Sequence, residues 1–459
     1  MLKFHKSLQG FSMRFYGRKE EISALQSFLE TVKRQNVSQM VSVIGRRRVG
    51  KTTLILKAFE NEAVPFFYFF VSRRVSEADL VQAWLTEICR VFKLEFAPNL
   101  SSASEVIRFV MSLAKDTPCV CVIDECQELK TVQPSFFSQL QHLWDLNKDK
   151  SKLLLIMSGS IISAMEELFN ASSQPLYGRS SGQLMVQPFL PSVIREIVLT
   201  ENPKANPMDL LAVYAITGGV ARYLEILADE QCLTMDNAIQ FIFSPQGGWL
   251  RSEGTIFLAN EYRADALTYS QILRAIANGA TKWNEIQSQS ELQISAYMRR
   301  LENFRLISKR YPIFEKPTAR KAHYSIADSY MRFWLEFIDP MPLRALAEAS
   351  RWSMLINYCQ SKFSDFLGLS LESWFRSSYL EKGPWFEVGS WWDRTGEYEM
   401  DLVAVDPSEK RIEFGEVKLN PEKFNSIKLS GKVSRFLEAH PQYTDWTISV
   451  KGLFPENIL

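Results

Sequence analysis

This chain lacks the paired cysteines of a CxxC motif. Its six cysteines are Cys89, Cys119, Cys121, Cys126, Cys232 and Cys359. A disulfide frame and a cysteine zinc site are therefore excluded, and the usage is that of a reduced, cytoplasmic protein. Cys119 and Cys121 fall inside an apolar run, where cysteine behaves as a small hydrophobe. The four histidines are scattered, so no metal cluster emerges from them. No apolar run approaches the roughly 18 residues of a membrane span, which argues against a membrane partner. The segment Met1-Leu2-Lys3-Phe4-His5-Lys6 is basic but lacks the apolar stretch of a signal peptide. Net charge is only +1, so there is no global electrostatic case for nucleic acid. Repeats and low-complexity tracts are also missing.

What is present is ordinary globular material. The hydrophobic fraction is 46% and the charged fraction 23%, with 31 Phe and 11 Trp to fill several cores. A chain of 459 residues is long enough for about three domains.

The stretch Gly45-Arg46-Arg47-Arg48-Val49-Gly50-Lys51-Thr52-Thr53 fits the phosphate-binding pattern G-x-x-x-x-G-K-[ST]. Its context fits as well. Met40 to Ile44 is apolar and β-branched, as a buried strand requires, and Thr52 to Glu60 reads as a helix. Glycines let backbone N–H groups curl around phosphates, and the helix N-terminus adds a favourable dipole. In this pattern Lys51 reaches the β and γ phosphates of ATP, and the Thr52 hydroxyl ligates Mg²⁺. About 70 residues later, Cys119 to Ile123 is a continuous apolar run that ends in Asp124-Glu125. An acid at that strand end holds Mg²⁺. The acid beside it, Glu125, orients and polarises the attacking water, which favours hydrolysis over mere binding. A third strand, Leu153 to Met157, ends in Ser158-Gly159-Ser160.

Several segments together resemble the archaeal-type AAA/STAND ATPases. They are Phe15-Tyr16-Gly17-Arg18-Lys19-Glu20-Glu21, Pro175-Leu176-Tyr177-Gly178-Arg179, Ile216-Thr217-Gly218-Gly219, and Tyr324-Ser325-Ile326-Ala327-Asp328 with Arg332-Phe333-Trp334. The resemblance runs over most of the chain, in the expected order. It implies that Ser158 or Ser160 senses the γ-phosphate; the plain alternative is a strand-to-helix turn capped by Ser160. It implies that Arg179 is an arginine finger reaching a neighbouring subunit, so that ATP binding favours a homo-oligomer; the alternative for Arg179 is a surface salt bridge. Ala221 stands where family members often have Pro, two positions after the Gly-Gly pair. Arg222 then resembles the in-subunit sensor arginine of ordinary AAA enzymes.

The fold expected is α/β: a P-loop ATPase core with a parallel sheet (1–205), a helical lid (206–260), a winged helix (261–338), a linker (339–350) and a C-terminal restriction-endonuclease-like α/β domain (351–459). Strands are expected at 40–44, 66–71, 119–123, 153–157 and 183–187. Between 262 and 338, helices at Tyr269–Ile276, Lys282–Gln287 and Ile294–Phe304 precede strands at Leu306–Tyr311 and Lys321–Ile326. This segment has 12 Lys/Arg against 7 Asp/Glu. Arg299, Arg300 and Arg305 on or just after the third helix, and Lys316, Arg320 and Lys321 in the wing, stand where DNA-binding versions meet the duplex. The alternative is a docking wedge with a solvated charged face.

The second chemical site is expected near the C-terminus. Glu399-Met400-Asp401 and the following apolar residues form one strand, Asp406-Pro407-Ser408 a turn, and Arg411 to Lys418 another strand. Residues two apart on a strand share a face, so Glu416 and Lys418 project together and Asp401 meets them from the neighbour. This D…E-x-K hairpin resembles the PD-(D/E)XK nuclease core. Asp401 and Glu416 would hold Mg²⁺ while Lys418 orients water or neutralises phosphate. Glu372 resembles that family's additional acid, and Glu387 is a further candidate for the same patch. The expected function is an ATP-hydrolysing switch coupled to DNA through the winged helix and the nuclease-like domain. The alternative is a nucleotide-gated scaffold for a protein partner, with a degenerate nuclease fold.

Overall fold

The computed structural model describes residues 13–262, 265–315, 322–393 and 396–459. They fall into two compact units, Gly17–Gln187 and Pro188–Leu459, the latter joined by the described residues before Gly17. The expected boundary at 205 thus differs from the packing boundary, because α8 (Pro191–Glu201) buries Ile194, Ile197 and Val198 in the core of the second unit.

The first unit runs α1 (Lys19–Gln35), β1 (Gln39–Ile44), α2 (Lys51–Phe59), β2 (Phe66–Phe70), α3 (Glu77–Phe92), α4 (Ala103–Leu113), β3 (Cys119–Asp124), α5 (Leu129–Val132), α6 (Phe136–Asn147), β4 (Leu153–Gly159), α7 (Ile162–Asn170) and β5 (Gly182–Met185). The strands form one parallel sheet in the order β2-β3-β4-β1-β5. Every residue of β3 and β4 is buried, as their unbroken apolar runs require of strands covered on both faces. Period-two alternation divides the core. Val41, Val43, Val120, Val122 and Ile156 pack with Leu54 and Ile55 of α2. Cys121, Ile123 and Leu155 pack with Phe69 and Trp84 on the other face. Because β4 lies between β1 and β3, the carboxyl ends of these three strands stand side by side.

The second unit continues with α9 (Pro207–Thr217), α10 (Ala221–Asp229), α11 (Met235–Ile242) and α12 (Gly248–Tyr262), all helical as expected of 206–260. Next come α13 (Ala266–Ala277), α14 (Trp283–Ser290), α15 (Ser295–Asn303) and an antiparallel ribbon of β6 (Ile307–Arg310) and β7 (His323–Ile326). Lys316, Arg320 and Lys321 lie outside the described residues. After α16 (Ser329–Phe337), the stretch expected as a linker carries α17 (Met341–Glu348). It begins at the buried Asp339, which pairs with Arg274 at 2.5 Å and with Arg344.

The last part is α18 (Trp352–Lys382), β8 (Glu387–Trp392), β9 (Glu399–Asp406), β10 (Arg411–Val417), α19 (Ser426–Ala439) and β11 (Thr447–Leu453). Its sheet order is β11-β10-β9-β8, with β8, β9 and β10 antiparallel and β11 parallel to β10. The parallel pair requires a crossover, and α19 supplies it. α19 packs Leu429, Val433 and Phe436 on one face of the sheet, while Leu367 and Leu371 of α18 pack with Leu402, Ala404 and Leu453.

The ribbon is docked on this sheet. The Ile313 N–H donates to Ser390 O at 2.9 Å, and Ile313 is buried in the core beneath α19. The His323 ring stacks on Trp392 at 4.6 Å, and Phe314 lies 4.9 Å from Tyr443.

Candidate functional site: a phosphate loop facing two acids, and a carboxylate cluster

The loop 45–50 is built for close backbone approach. A side chain on Gly45 would meet Val186 O at 2.5 Å. Gly50 has φ 95°, and Arg48 takes the left-handed region at φ 69°. Lys51, with only 8% of its surface exposed, donates from Nζ to Gly45 O at 2.8 Å and Arg46 O at 3.2 Å. The apolar Val49 is buried, Arg46 and Arg47 are half-buried, and Thr53 is exposed. Arg18, from the opening F-Y-G-R segment, fastens the loop. Its guanidinium donates to Val49 O at 3.2 Å, to Gln187 O at 2.6 Å and to Glu21 at 2.9 Å.

Thr52 opens α2, and its hydroxyl donates to Asp124 Oδ2 at 3.0 Å. The other carboxylate oxygen of Asp124 accepts from the Glu125 N–H at 3.0 Å. The two oxygen-bearing groups expected to hold Mg²⁺ are therefore adjacent, and hard oxygen donors suit that ion. Glu125 adopts φ 54°, a conformation an L-residue enters at a cost of about 1–2 kcal/mol. This turns its side chain back toward β4, where Oε2 accepts from Gln127 at 2.6 Å and from Ser160 at 2.8 Å. Ser158 pairs across the sheet with Asp124, and its Oγ is buried without a hydrogen-bond partner. Of the two candidate serines, Ser160 thus touches the second acid, and Ser158 lies one strand from the first.

Arg179 forms a bidentate pair with Asp145, at 3.0 and 2.8 Å, and also donates to Pro175 O and Tyr177 O. That is the salt bridge named as the alternative to a finger. Arg222 lies on α10 of the other unit and donates to Glu225 at 2.6 Å.

The C-terminal residues also come together. The β9–β10 register pairs Gly415 with Leu402, and its next step sets Glu416 opposite Asp401. Lys418 Nζ lies 2.9 Å from Glu416 and 3.8 Å from Asp401. The Val417 N–H donates to Asp401 at 2.8 Å, and Lys432 of α19 pairs with Glu416 at 2.6 Å. Glu372 sits well inside the 31-residue α18, rather than near a helix start, and pairs with Arg376 at 3.2 Å. Burial, reinforced by Glu372, pushes the Asp401 carboxyl up to about 6. Glu387 does not join the cluster: it pairs with Val405, at the far end of β8, and is exposed. Glu399 takes that place, its carboxyl raised by burial and by Asp401. Arg310 of the docked ribbon is buried within the field of Glu372, Glu399 and Asp401, and burial lowers its pKa. Among the described residues no group of three or more His, Cys, Asp or Glu is arranged to hold a metal ion.

Known proteins fit this division of the chain. Residues 15–227 match the family described as an ATPase domain predominantly from Archaea. This part of the chain is thus similar to an archaeal-type ATPase domain. Residues 334–428 match a family described as archaeal and bacterial proteins of unknown function. An uncharacterized protein of Methanocaldococcus jannaschii is 29% identical over 424 residues, covering 90% of this chain and 89% of that one. Among solved structures, the Walker-type ATPase of Pyrococcus abyssi superposes with a TM-score of 0.55 at 20% identity, covering 71% of this chain and 98% of that one. The ORC2 protein of Aeropyrum pernix superposes with a TM-score of 0.50 at 12% identity, covering 74% and 96%. At these identities the likeness is one of fold.

Within the first unit, sequence reasoning missed Tyr68. Its hydroxyl donates to Asp124 Oδ2 and lies 3.4 Å from Thr52 Oγ1. Only strand parity could have found it, since Phe66, Tyr68 and Phe70 share the face of β2 toward α2. No helix among the described residues is long and apolar enough to cross a membrane.

Proposed function

We propose that this chain is an ATP-hydrolysing switch of the AAA/STAND type, whose hydrolysis is coupled to a winged helix and a nuclease-like domain. The observation that carries the reading is the 3.0 Å contact between Thr52 and Asp124, with Lys51 in the loop before them and Glu125 beside them. In this reading Gly45 to Lys51 cradle the triphosphate, Thr52 and Asp124 hold Mg²⁺, and Glu125 accepts a proton from the attacking water. The bound ion supplies neutralisation of phosphate charge. Ser158 or Ser160 reports the γ-phosphate. Arg179 serves a neighbouring subunit once Asp145 releases it, and Arg222 acts as the sensor within the chain. Lys51→Ala is expected to weaken ATP binding greatly, whereas Glu125→Gln is expected to bind ATP and not turn it over. Wild-type turnover by Glu125→Gln would remove Glu125 from catalysis.

The helices α13, α14 and α15 with the β6–β7 ribbon have the order of a winged helix. Because the ribbon is docked through Ile313 and His323, DNA contact falls to the exposed Arg299 and Arg305 and to Arg300. The helix–three-strand–helix–strand order of 352–453 is that of a nuclease-like fold, with Asp401, Glu416 and Lys418 at its reacting end. One observation favours the second reading, a protein-binding scaffold with an inactive fold: Glu372 and Glu416 both already bear ion-paired cations. Metal-dependent DNA cleavage that is lost in Asp401→Ala would establish the nuclease. Its absence, with a protein partner retained, would establish the scaffold.

A further inference from the structure

We propose that Tyr68 is a positioning residue for the divalent cation of the ATPase site, holding Asp124 in the one orientation that serves Thr52. The proposal rests on the reading of Thr52 and Asp124 as cation holders. Tyr68 reaches the corner by strand geometry. β2 pairs in parallel with β3, Tyr68 against Val122 and Phe70 against Asp124. Phe67 and Phe69 turn into the core under α3, so the residue between them faces α2, and the length of a tyrosine carries its hydroxyl to the end of β3.

Three donors then converge on one carboxylate. Oδ1 takes the Glu125 N–H; Oδ2 takes Thr52 and Tyr68. A carboxylate has about four lone-pair sites, so one remains for a water of the cation. A Thr52 oxygen that gave a lone pair to the cation would still need an acceptor for its proton, and Asp124 Oδ2 accepts it at 3.0 Å. Without Tyr68, Asp124 keeps its backbone contact, but Oδ2 is held by Thr52 alone and its orientation loosens. Partners that orient a metal's ligands typically contribute 10–100-fold in metal affinity.

The test is Tyr68→Phe, which removes one oxygen and leaves the ring. ATP binding to the full chain is measured by calorimetry in EDTA and across a Mg²⁺ titration, with turnover measured in parallel. The expected result is unchanged affinity in EDTA, since loop 45–51 is untouched, and a half-saturating Mg²⁺ concentration raised about tenfold. Turnover should recover at high Mg²⁺. An unchanged Mg²⁺ requirement, an equal loss of affinity in EDTA, or tighter Mg²⁺ binding would each overturn the proposal, the last by making Tyr68 a competitor. Should wild-type binding itself be independent of Mg²⁺, the cation reading of Thr52 and Asp124 fails, and the role of Tyr68 falls with it. If wild type depends on Mg²⁺ and Tyr68→Phe matches it, only the proposal fails.

Discussion

Replacing Arg18 should loosen the phosphate loop without touching a phosphate-binding residue. Its side chain is only 7% exposed and spans three partners: Val49 O within the loop, Gln187 O after β5, and Glu21 on α1. Each hydrogen bond from the charged group to a part-buried carbonyl contributes about 1.5 kcal/mol, the lower end for a charged donor. The pair with Glu21, whose carboxylate is 23% exposed, adds about 0.5 kcal/mol. Arg18→Ala should therefore cost unit 17–187 about 3.5 kcal/mol. Arg18→Lys should recover only about a third of that, because an ammonium cannot reach both carbonyls in the geometry of the guanidinium fork. Hydrogen exchange by mass spectrometry in graded urea would read the loss in peptides from β1 and loop 45–50. ATP affinity should fall in the same order, wild type above Arg18→Lys above Arg18→Ala. A loss below 1 kcal/mol for the alanine variant, or an Arg18→Lys protein equal to wild type, would refute the idea that Arg18 ties the loop down.

Three other outcomes are expected. Ile313→Asp should undock the ribbon from the C-terminal sheet at a cost of about 3 kcal/mol, since a residue 4% exposed would become an unpaired acid; protease protection of β6 and β7 would report it. Replacing Arg299, Arg300 and Arg305 together should weaken DNA binding and flatten its salt dependence by up to three phosphate contacts; unchanged binding at every salt concentration would leave α15 as a docking element. Gly219→Ala should destabilise the second unit by about 2 kcal/mol or more, because Gly219 has φ 76° and an added Cβ would lie 2.4 Å from Phe189 O; a melting transition equal to wild type would contradict this.

The sheet of the first unit was legible in the sequence because its strands are buried on both faces. Cys119–Ile123 and Leu153–Met157 are unbroken apolar runs, and such runs announce their own boundaries. Their carboxyl ends carry the acids and serines, so the site could be named with them. Tyr68 and Arg18 were legible only as residue types. One depends on which strand lies next to β3, the other on a fold-back from β5 to the loop, and neither adjacency is written in local pattern. The same holds near the C-terminus. Asp401, Glu416 and Lys418 follow from period-two reasoning along two strands joined by a turn. Glu387 was misplaced because a β-strand of six residues separates its ends by about 17 Å, and only the register with Val405 shows which end it occupies.

The docked ribbon bears on how the carboxylate cluster is balanced. Four acids, Glu372, Glu399, Asp401 and Glu416, gather at one end of the C-terminal sheet, and burial raises the carboxyls of Glu399 and Asp401. Four cations offset them. Arg376 comes from α18, Lys418 from just beyond β10 and Lys432 from α19. Arg310 comes from β6, an element of the preceding three-helix segment. Three of the compensating charges thus belong to the fold that carries the acids, and one is brought by the ribbon. Its backbone anchor is the bond from Ile313 to Ser390 O, and the Ser390 hydroxyl in turn donates to Asp401 O at 3.1 Å. The ribbon is therefore joined to the cluster twice, through Arg310 in charge and through Ser390 in hydrogen bonding. Moving the ribbon would change the net charge around Asp401 by one unit.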